Sequence, residues 1–399
     1  MRCEYRKVKL ADLTTTGKGT YGIAASGVEK NDNLYTYLRI TDINDDGTLN
    51  QSDMKSVADD DAAQYLLKPN DIVFARTGGS TGRNYFYDGK DGTFVYAGFL
   101  IKFSIDPLKV NPKYIKYYCQ SGVYKNWVRS FNTGSTRGNI NAQTFGNMEI
   151  PLPPREQQDY LVSVLEPLDE KIAINREINE NLERQAQAFF QELFVDNADP
   201  EWAIGTINDL GAVVGGSTPS KAKPEYYTET GIAWITPKDL SVNKSKFISH
   251  GENDITELGL KNSSATIMPE GTVLFSSRAP IGYIAVAAGE VATNQGFKSI
   301  VPKPEIGTAF VYYFLKHNLP IIEGMASGST FKEVSGSTMK GVPAVIPDTD
   351  TIARFNDFCS PIFAQQRILE EQNHSLAALR DNLLPKLMSG EVDVSDIQL

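Results

Sequence analysis

The stretch Arg76-Thr77-Gly78-Gly79-Ser80-Thr81-Gly82-Arg83-Asn84 sets guanidinium groups, hydroxyls and an amide around three glycines. Such a loop can bring its backbone N–H groups close to a phosphate while arginine supplies charge. Gly134-Ser135-Thr136-Arg137-Gly138-Asn139 has the same chemistry. So do Ser276-Ser277-Arg278, Thr293-Asn294-Gln295-Gly296-Phe297-Lys298 and Gly328-Ser329-Thr330-Phe331-Lys332 further along. Arg, Lys, Asn and Gln are also the side chains whose hydrogen-bonding groups fit base edges in the major groove. Taken singly, each loop reads as an ordinary polar turn. Their recurrence at matching places argues for more, because a turn needed only by the scaffold need not repeat its cations. The candidate contact residues are Arg76, Thr77, Arg83, Thr136, Arg137 and Asn139, then Arg278, Asn294, Gln295, Lys298, Thr330 and Lys332. Some would meet phosphates, which position, and some bases, which specify.

Other chemistries find little material. Gly17-Lys18-Gly19-Thr20 lacks the spacing of a phosphate-binding loop. Asn111-Pro112-Lys113-Tyr114 is superficially similar to the Asn-Pro-Pro-Tyr of adenine methyltransferases, but Lys113 spoils it and no glycine-rich cofactor loop precedes it. A helix start fits better, with Asn111 as cap and Pro112 at the first position. Asp59-Asp60-Asp61 reads as a solvated loop. The histidines, His250, His317 and His374, are scattered and offer no Ser-His-Asp or Cys-His arrangement. Cys3, Cys119 and Cys359 lie far apart and are odd in number. That disfavours a disulfide framework or a zinc site and suggests a reducing cytoplasm. The reading therefore expects no catalytic residue, no metal and no cofactor in this chain.

The elements that must hold these loops occur twice. Tyr37-Leu38-Arg39-Ile40-Thr41-Asp42-Ile43 is answered by Trp234-Ile235-Thr236-Pro237-Lys238-Asp239-Leu240 at an offset of 197 residues. Pro69 to Gly82 is answered by Pro269 to Gly282, and Gly98-Phe99 by Gly296-Phe297. From Gly134 onward the offset is 194, so Gly134-Ser135-Thr136 matches Gly328-Ser329-Thr330. A period this long marks a duplicated domain rather than a solenoid repeat. Ile72-Val73-Phe74 and Val273-Leu274-Phe275, bounded by Gly, Pro and Asp, read as strands. The spacing predicts a helix from Pro112 to Val128, with a counterpart from Thr308 to His317. Ile150-Pro151-Leu152-Pro153-Pro154 and Val342-Pro343-Ala344-Val345-Ile346-Pro347 then read as edge segments or linkers.

Each half is followed by a long helical stretch. Residues 155–195 contain one proline and no glycine. Steps of four and three pick out Leu161, Leu165, Leu168, Ile172, Asn175, Asn179, Leu182, Ala186, Phe189 and Leu193, a heptad seam. Shifting by 194 gives Phe355, Cys359, Ile362, Gln366, Leu369, Asn373, Leu376, Arg380, Leu383 and Leu387, less apolar but in the same phase. About 41 residues at 1.5 Å each make a rod of roughly 60 Å. The expectation is that the helices pair antiparallel about a pseudo-two-fold, with Asn175 near Asn373 at the crossing. Polar seam residues of this kind fix register at a cost in stability.

The charge follows the same division. The 399 residues hold 39 Lys+Arg and 49 Asp+Glu, a net charge of −10 that as a whole argues against a nucleic-acid partner. By segment it is +3 for residues 1–150, −7 for 151–200, −1 for 201–347 and −5 for 348–399. The acidity lies mostly on the helices. No stretch approaches the roughly 20 apolar residues of a membrane span. Met1 to Leu13 lacks the apolar core of a signal peptide.

With these blocks in order, the sequence resembles the specificity (S) subunit of a type I restriction-modification system, over residues 4–390. The carriers are Trp234-Ile235-Thr236-Pro237-Lys238-Asp239-Leu240, Val273-Leu274-Phe275-Ser276-Ser277-Arg278-Ala279-Pro280-Ile281-Gly282 and Asn294-Gln295-Gly296-Phe297-Lys298. Leu152-Pro153-Pro154-Arg155-Glu156-Gln157-Gln158 and Leu384-Pro385-Lys386-Leu387-Met388-Ser389-Gly390-Glu391 add to them. Ile346-Pro347-Asp348-Thr349-Asp350 departs from the Pro-Pro-x-x-Glu-Gln form, and Tyr37 to Ile43 from the Trp-Ile-x-x-x-Asp form.

The resemblance implies an α+β fold: two similar mixed α/β target-recognition domains separated by two long antiparallel helices forming a coiled coil, with a pseudo-two-fold internal repeat. The expected boundaries are 1–153 for the first recognition domain, 154–198 for the first long helix, 199–347 for the second domain and 348–399 for the second helix and tail. It implies double-stranded DNA with a bipartite, asymmetric target as ligand, each domain reading one half-site and the helices setting the gap. Two modification (M) subunits would dock on the acidic helices, restriction (R) subunits would complete the complex, and the methyl donor and ATP would bind those partners. No membrane is implied. The rival readings are a coiled-coil scaffold that binds only proteins, and a stand-alone nuclease or methyltransferase.

Overall fold

The computed structural model describes residues 5–131, 138–278, 280–328 and 332–391. The candidate residues Thr136, Arg137 and Thr330 lie outside them. The chain divides into two compact units, Met1–Glu170 with Leu376–Leu399, and Lys171–Ser375.

The first unit is built on the strand Asp71–Ala75, buried along its whole length. Its Ile-Val-Phe centre favours extended backbone. Asn70, at φ 73°, makes the left-handed turn that starts it. It lies between Leu100–Ser104 and Asn84–Tyr87 in a four-stranded antiparallel sheet. A second four-stranded sheet pairs Tyr35–Leu38 with Phe94–Tyr96 in parallel. Asp71 is buried but satisfied, accepting from Lys68 N at 2.8 Å and Ser104 Oγ at 2.5 Å and pairing with Lys102 at 3.2 Å. Phe74, Phe103, Tyr114, Tyr118 and Phe145 fill the core beside it.

The second unit repeats the plan. Val273–Ser277, also wholly buried, lies between Lys298–Pro302 and Ile281–Ala287 in a five-stranded sheet. Trp234–Ile235 pairs in parallel with Ala292–Thr293, as Tyr35–Leu38 does with Phe94–Tyr96. The carboxylate after that strand does the same work twice. Asp42 Oδ2 accepts from Arg39 N, and Asp239 Oδ2 from Thr236 N, each at 2.7 Å. The departure of Tyr37–Ile43 from the Trp-Ile-x-x-x-Asp form therefore leaves the cap intact.

The helix expected from Pro112 to Val128 is two helices, Pro112–Tyr118 and Gly122–Arg129. Asn111 caps the first as its sequence suggests, accepting from Lys113 N. Ser121 caps the second by accepting from Tyr124 N, and this new N-terminus breaks the run. The second unit makes the same break after Thr308–His317, where Pro320 opens Leu319–Gly324. The proline-rich segments are edge strands of two-stranded ribbons: Glu149–Leu152 pairs with Arg6–Lys9, and Pro343–Ile346 with Ala203–Thr206.

The long helices are Arg155–Gln191, ending in a π-helical turn, and Thr349–Ser389. In the first unit Leu161 and Leu165 enter the core with Leu384 and Met388, and Leu168, Leu383 and Leu387 pack against them. In the second, Ala186, Phe190 and Leu193 share a core with Phe355, Cys359 and Ile362, flanked by Leu182. Ile172 and Leu369 are buried as well, and Leu376 is half-buried. Asn175 is buried and donates to Asn373 Oδ1 at 3.0 Å and Gln372 Oε1 at 3.3 Å.

A polar cluster ties the second unit's head to its helices. Glu183 pairs with Lys316 at 2.5 Å and with Lys246. Lys246 also donates to Gln366 Oε1 at 2.7 Å and lies over the rings of Tyr312, Tyr313 and Phe363. Burial pushes the Glu183 carboxyl up, but the two lysines more than offset it and hold its pKa at about 2. Lys246 moves down from its ordinary value because burial outweighs the help from Glu183. The asymmetry has a plain cause: Lys246 is 6% exposed and Glu183 22%, so the lysine loses more hydration.

Candidate functional site

In the first unit, three segments that are distant in sequence meet at the end of the central strand. Arg76 N donates to Phe99 O at 3.0 Å, and Ile140 N donates to Arg76 O at 2.9 Å. Thr77 bridges Asn139, and Thr81 Oγ1 donates to Gly138 O at 3.0 Å. The turn between them is held from behind. Gly82 has φ 87°, its O accepts from Tyr124 Oη at 2.6 Å, and an added Cβ would lie 2.4 Å from Val128 Cγ1.

The second unit builds the same junction. Ser277 N donates to Gly296 O at 2.7 Å, and Val334 N donates to Ser277 O at 3.0 Å. Arg278 bridges Glu333 as Thr77 bridges Asn139. Gly282, at φ 94°, turns against Leu319 as Gly82 turns against Val128. This register shifts two correspondences drawn from sequence by one residue. Leu100, which pairs with Ala75, answers Phe297, which bridges Ser276, so the counterpart of Phe99 is Gly296. The counterpart of Arg278 is Thr77, and that of Arg76 is Ser277. The two junctions share a backbone and present different side chains.

What they present differs in kind. Arg76 lies with its guanidinium carbon 5.2 Å from the Tyr21 ring centroid and 5.8 Å from that of Phe99. Both rings are largely open, Tyr21 at 43% and Phe99 at 55% exposure. The Arg76 Nε is buried without a hydrogen-bond partner. Ring faces beside a guanidinium hold it without using its N–H donors. Arg278 instead faces Glu333 at 3.5 Å, and Lys298 approaches the same carboxylate at 3.8 Å. Burial pulls the pKa of Lys298 down, and Glu333 restores part of it.

Comparison with known proteins fits this twofold plan. The family model described as the type I restriction modification DNA specificity domain matches residues 3–184 and 200–376. The chain belongs to this family. Among curated relatives, the MjaIX type I restriction enzyme specificity subunit of Methanocaldococcus jannaschii is 39% identical over 191 residues, 46% of this chain and 44% of that one. The HindI specificity subunit of Haemophilus influenzae is 22% identical over 407 residues, 83% of this chain and 88% of that one. A crystal structure of the type I restriction-modification S subunit from M. genitalium has a similar fold, with a TM-score of 0.57 at 17% identity over 97% of this chain and 96% of that one.

Within this specificity-domain fold the candidate residues separate. Arg76, Thr77 and Asn139 come together at the first junction, and Arg278 and Lys298 at the second. Arg83 sits at the same turn but is engaged, donating to Asp45 Oδ1 at 2.7 Å and Ile43 O at 3.1 Å. Asn294 is half-buried and closes its own turn, its Oδ1 accepting from Gly296 N at 2.8 Å. Gln295 is exposed and bonds Thr218, while Lys332 is exposed. Three residues were missed. Tyr21 gave no signal and Phe99 marked only the repeat, because an exposed aromatic looks the same in sequence as a buried one. Glu333 follows Lys332 directly, and its role depends on a cross-strand bridge that spacing does not reveal.

Proposed function

We propose that this chain is the DNA sequence-specificity subunit of a type I restriction-modification complex. Each recognition domain reads one half of a bipartite, asymmetric target. The observation that carries the reading is the three-segment junction built twice on one backbone plan with different side chains. That is the economy expected of a device that reads two different half-sites. Arg76, Thr77 and Asn139 read the first half-site, with Arg83 holding the turn. Arg278, Lys298, Gln295 and Lys332 serve the second. Thr136, Arg137 and Thr330 belong to the same segments by sequence.

The domains run 1–153 and 199–347, with the long helices and the tail at 154–198 and 348–399. The helices pair antiparallel as a coiled coil and set the unread gap. Support comes from Leu161 and Leu165 sharing a core with Leu384 and Met388, and from the Asn175–Asn373 hydrogen bond. Their acidic outer faces dock two M subunits, and R subunits complete the complex. Methyl transfer and cleavage belong to those partners, which bind the methyl donor and ATP, and this chain is not catalytic. The complex works in the cytoplasm.

A gel-shift selection tests the reading. The full chain with its M partner is offered a pool of random duplexes. Two short fixed half-sites at a constant separation should be enriched. Retention of the M partner with no DNA enriched would favour the protein-only scaffold.

A further inference from the structure

The second junction carries a carboxylate where the first carries an amide. Glu333 stands at the bridge position that Asn139 occupies in the first unit. Its two oxygens are divided between two cations. Oε2 faces Arg278 Nη1 at 3.5 Å, and Oε1 faces Lys298 Nζ at 3.8 Å. Both separations are long for charge-assisted hydrogen bonds, which close to about 2.7–2.9 Å when geometry is free to optimise. Arg278 and Glu333 are 38% and 39% exposed, so their pair is loose and solvent-screened, whereas Lys298 is 16% exposed and also donates to Gln295 O at 3.5 Å and Phe297 O at 3.3 Å. The backbone bridges of Glu333 to Arg278 and Ser327 hold the segment in place whatever the side chain's charge.

We propose that Glu333 is a specificity-determining residue: an internal anion that occupies Arg278 and Lys298 and must be displaced by DNA phosphate before they can grip. The inference rests on the DNA-reading function proposed above and assigns a residue to its control. A loosely held carboxylate is well suited to this. It removes one charge from a site where two cations would otherwise attract any duplex, and it yields to a phosphate held in place by a correct half-site. Random DNA lacks the base contacts that would hold the phosphate there. Among the described residues the bridge position of the first junction carries no such anion, because Asn139 is uncharged and Arg76 lies against aromatic rings instead.

The test is Glu333→Gln in the full chain assembled with its M partner. The substitution keeps size and backbone bonding and removes the charge. Binding to mixed-sequence duplexes is followed by fluorescence anisotropy across a salt series. The variant should bind such duplexes about fivefold tighter, the scale expected for freeing weak exposed pairs. Its log–log salt slope should steepen by about one to two. Adding Arg278→Gln to E333Q should cancel most of the gain, and thermal melting confirms that both variants are folded. If the wild-type chain shows salt-dependent DNA binding and E333Q matches it, the brake is overturned while the DNA-reading function stands. Weaker binding of E333Q to every duplex would make Glu333 a direct contact and overturn the brake as well. If neither protein binds any duplex at low salt, both the brake and the DNA-reading function fall.

Discussion

Arg76 and Arg83 belong to one turn and look interchangeable in sequence, but their surroundings give them different tasks. Arg76 lies against the rings of Tyr21 and Phe99 with its buried Nε unpartnered, whereas Arg83 spends its donors on Asp45 and Ile43. Arg76→Ala should therefore weaken binding to the cognate half-site by about 1–3 kcal/mol and leave melting nearly unchanged, measured by anisotropy and thermal unfolding. Arg83→Ala should do the reverse, costing about 1 kcal/mol of stability with a smaller effect on affinity. Gly82→Ala combines a left-handed φ with a clash against Val128 and should lower stability by more than about 1 kcal/mol in urea unfolding. Residue types and spacing were enough to mark these turns. They could not separate a presented arginine from an engaged one, because that depends on partners such as Asp45, distant in the chain.

At the scale of elements, helix and strand periodicity was legible where local signals were strong. Buried strands, proline-bearing edge ribbons and both long helices follow from patterning. The break between Pro112–Tyr118 and Gly122–Arg129 was missed because the apolar spacing runs through it, while the Ser121 cap acts across only three residues. The Glu183 cluster was equally hidden, since Lys246 and Lys316 lie far from it in sequence. Its consequence is testable. Glu183 titrates at about 2 in the folded chain against an ordinary value of 4.5, so its stabilising contribution is present above pH 4.5 and is lost as pH falls towards 2. That contribution is on the order of 3 kcal/mol. Glu183→Gln should lower the urea midpoint at pH 7, because buried Lys246 loses its principal counter-charge and keeps only the weaker influence of Glu370, at a cost of about 3 kcal/mol. It should also flatten the decline in stability between pH 5 and pH 2 relative to wild type.

At the scale of the whole molecule, a net charge of −10 describes no part of the chain well. The segments 1–150 and 201–347 are close to neutral and the acidity follows the helices. Duplication was readable because anchors such as Pro69–Gly82 and Pro269–Gly282 keep their order. The exact pairing of the two junctions was not, because insertions shift the offset and only hydrogen-bond register fixes which residues correspond. With so little positive charge on either head, isolated chain should bind arbitrary DNA weakly. Adding the M partner should raise that affinity by at least about tenfold at 0.1 M salt in a gel shift. On the proposed function, one chain dictates a two-part target. Its most direct test is base-modification sequencing of host DNA with and without this gene. Deletion should abolish methylation at one motif made of two short, different half-sites separated by a fixed unread gap. A methylation pattern unchanged by the deletion, or loss of a single uninterrupted motif, would contradict it.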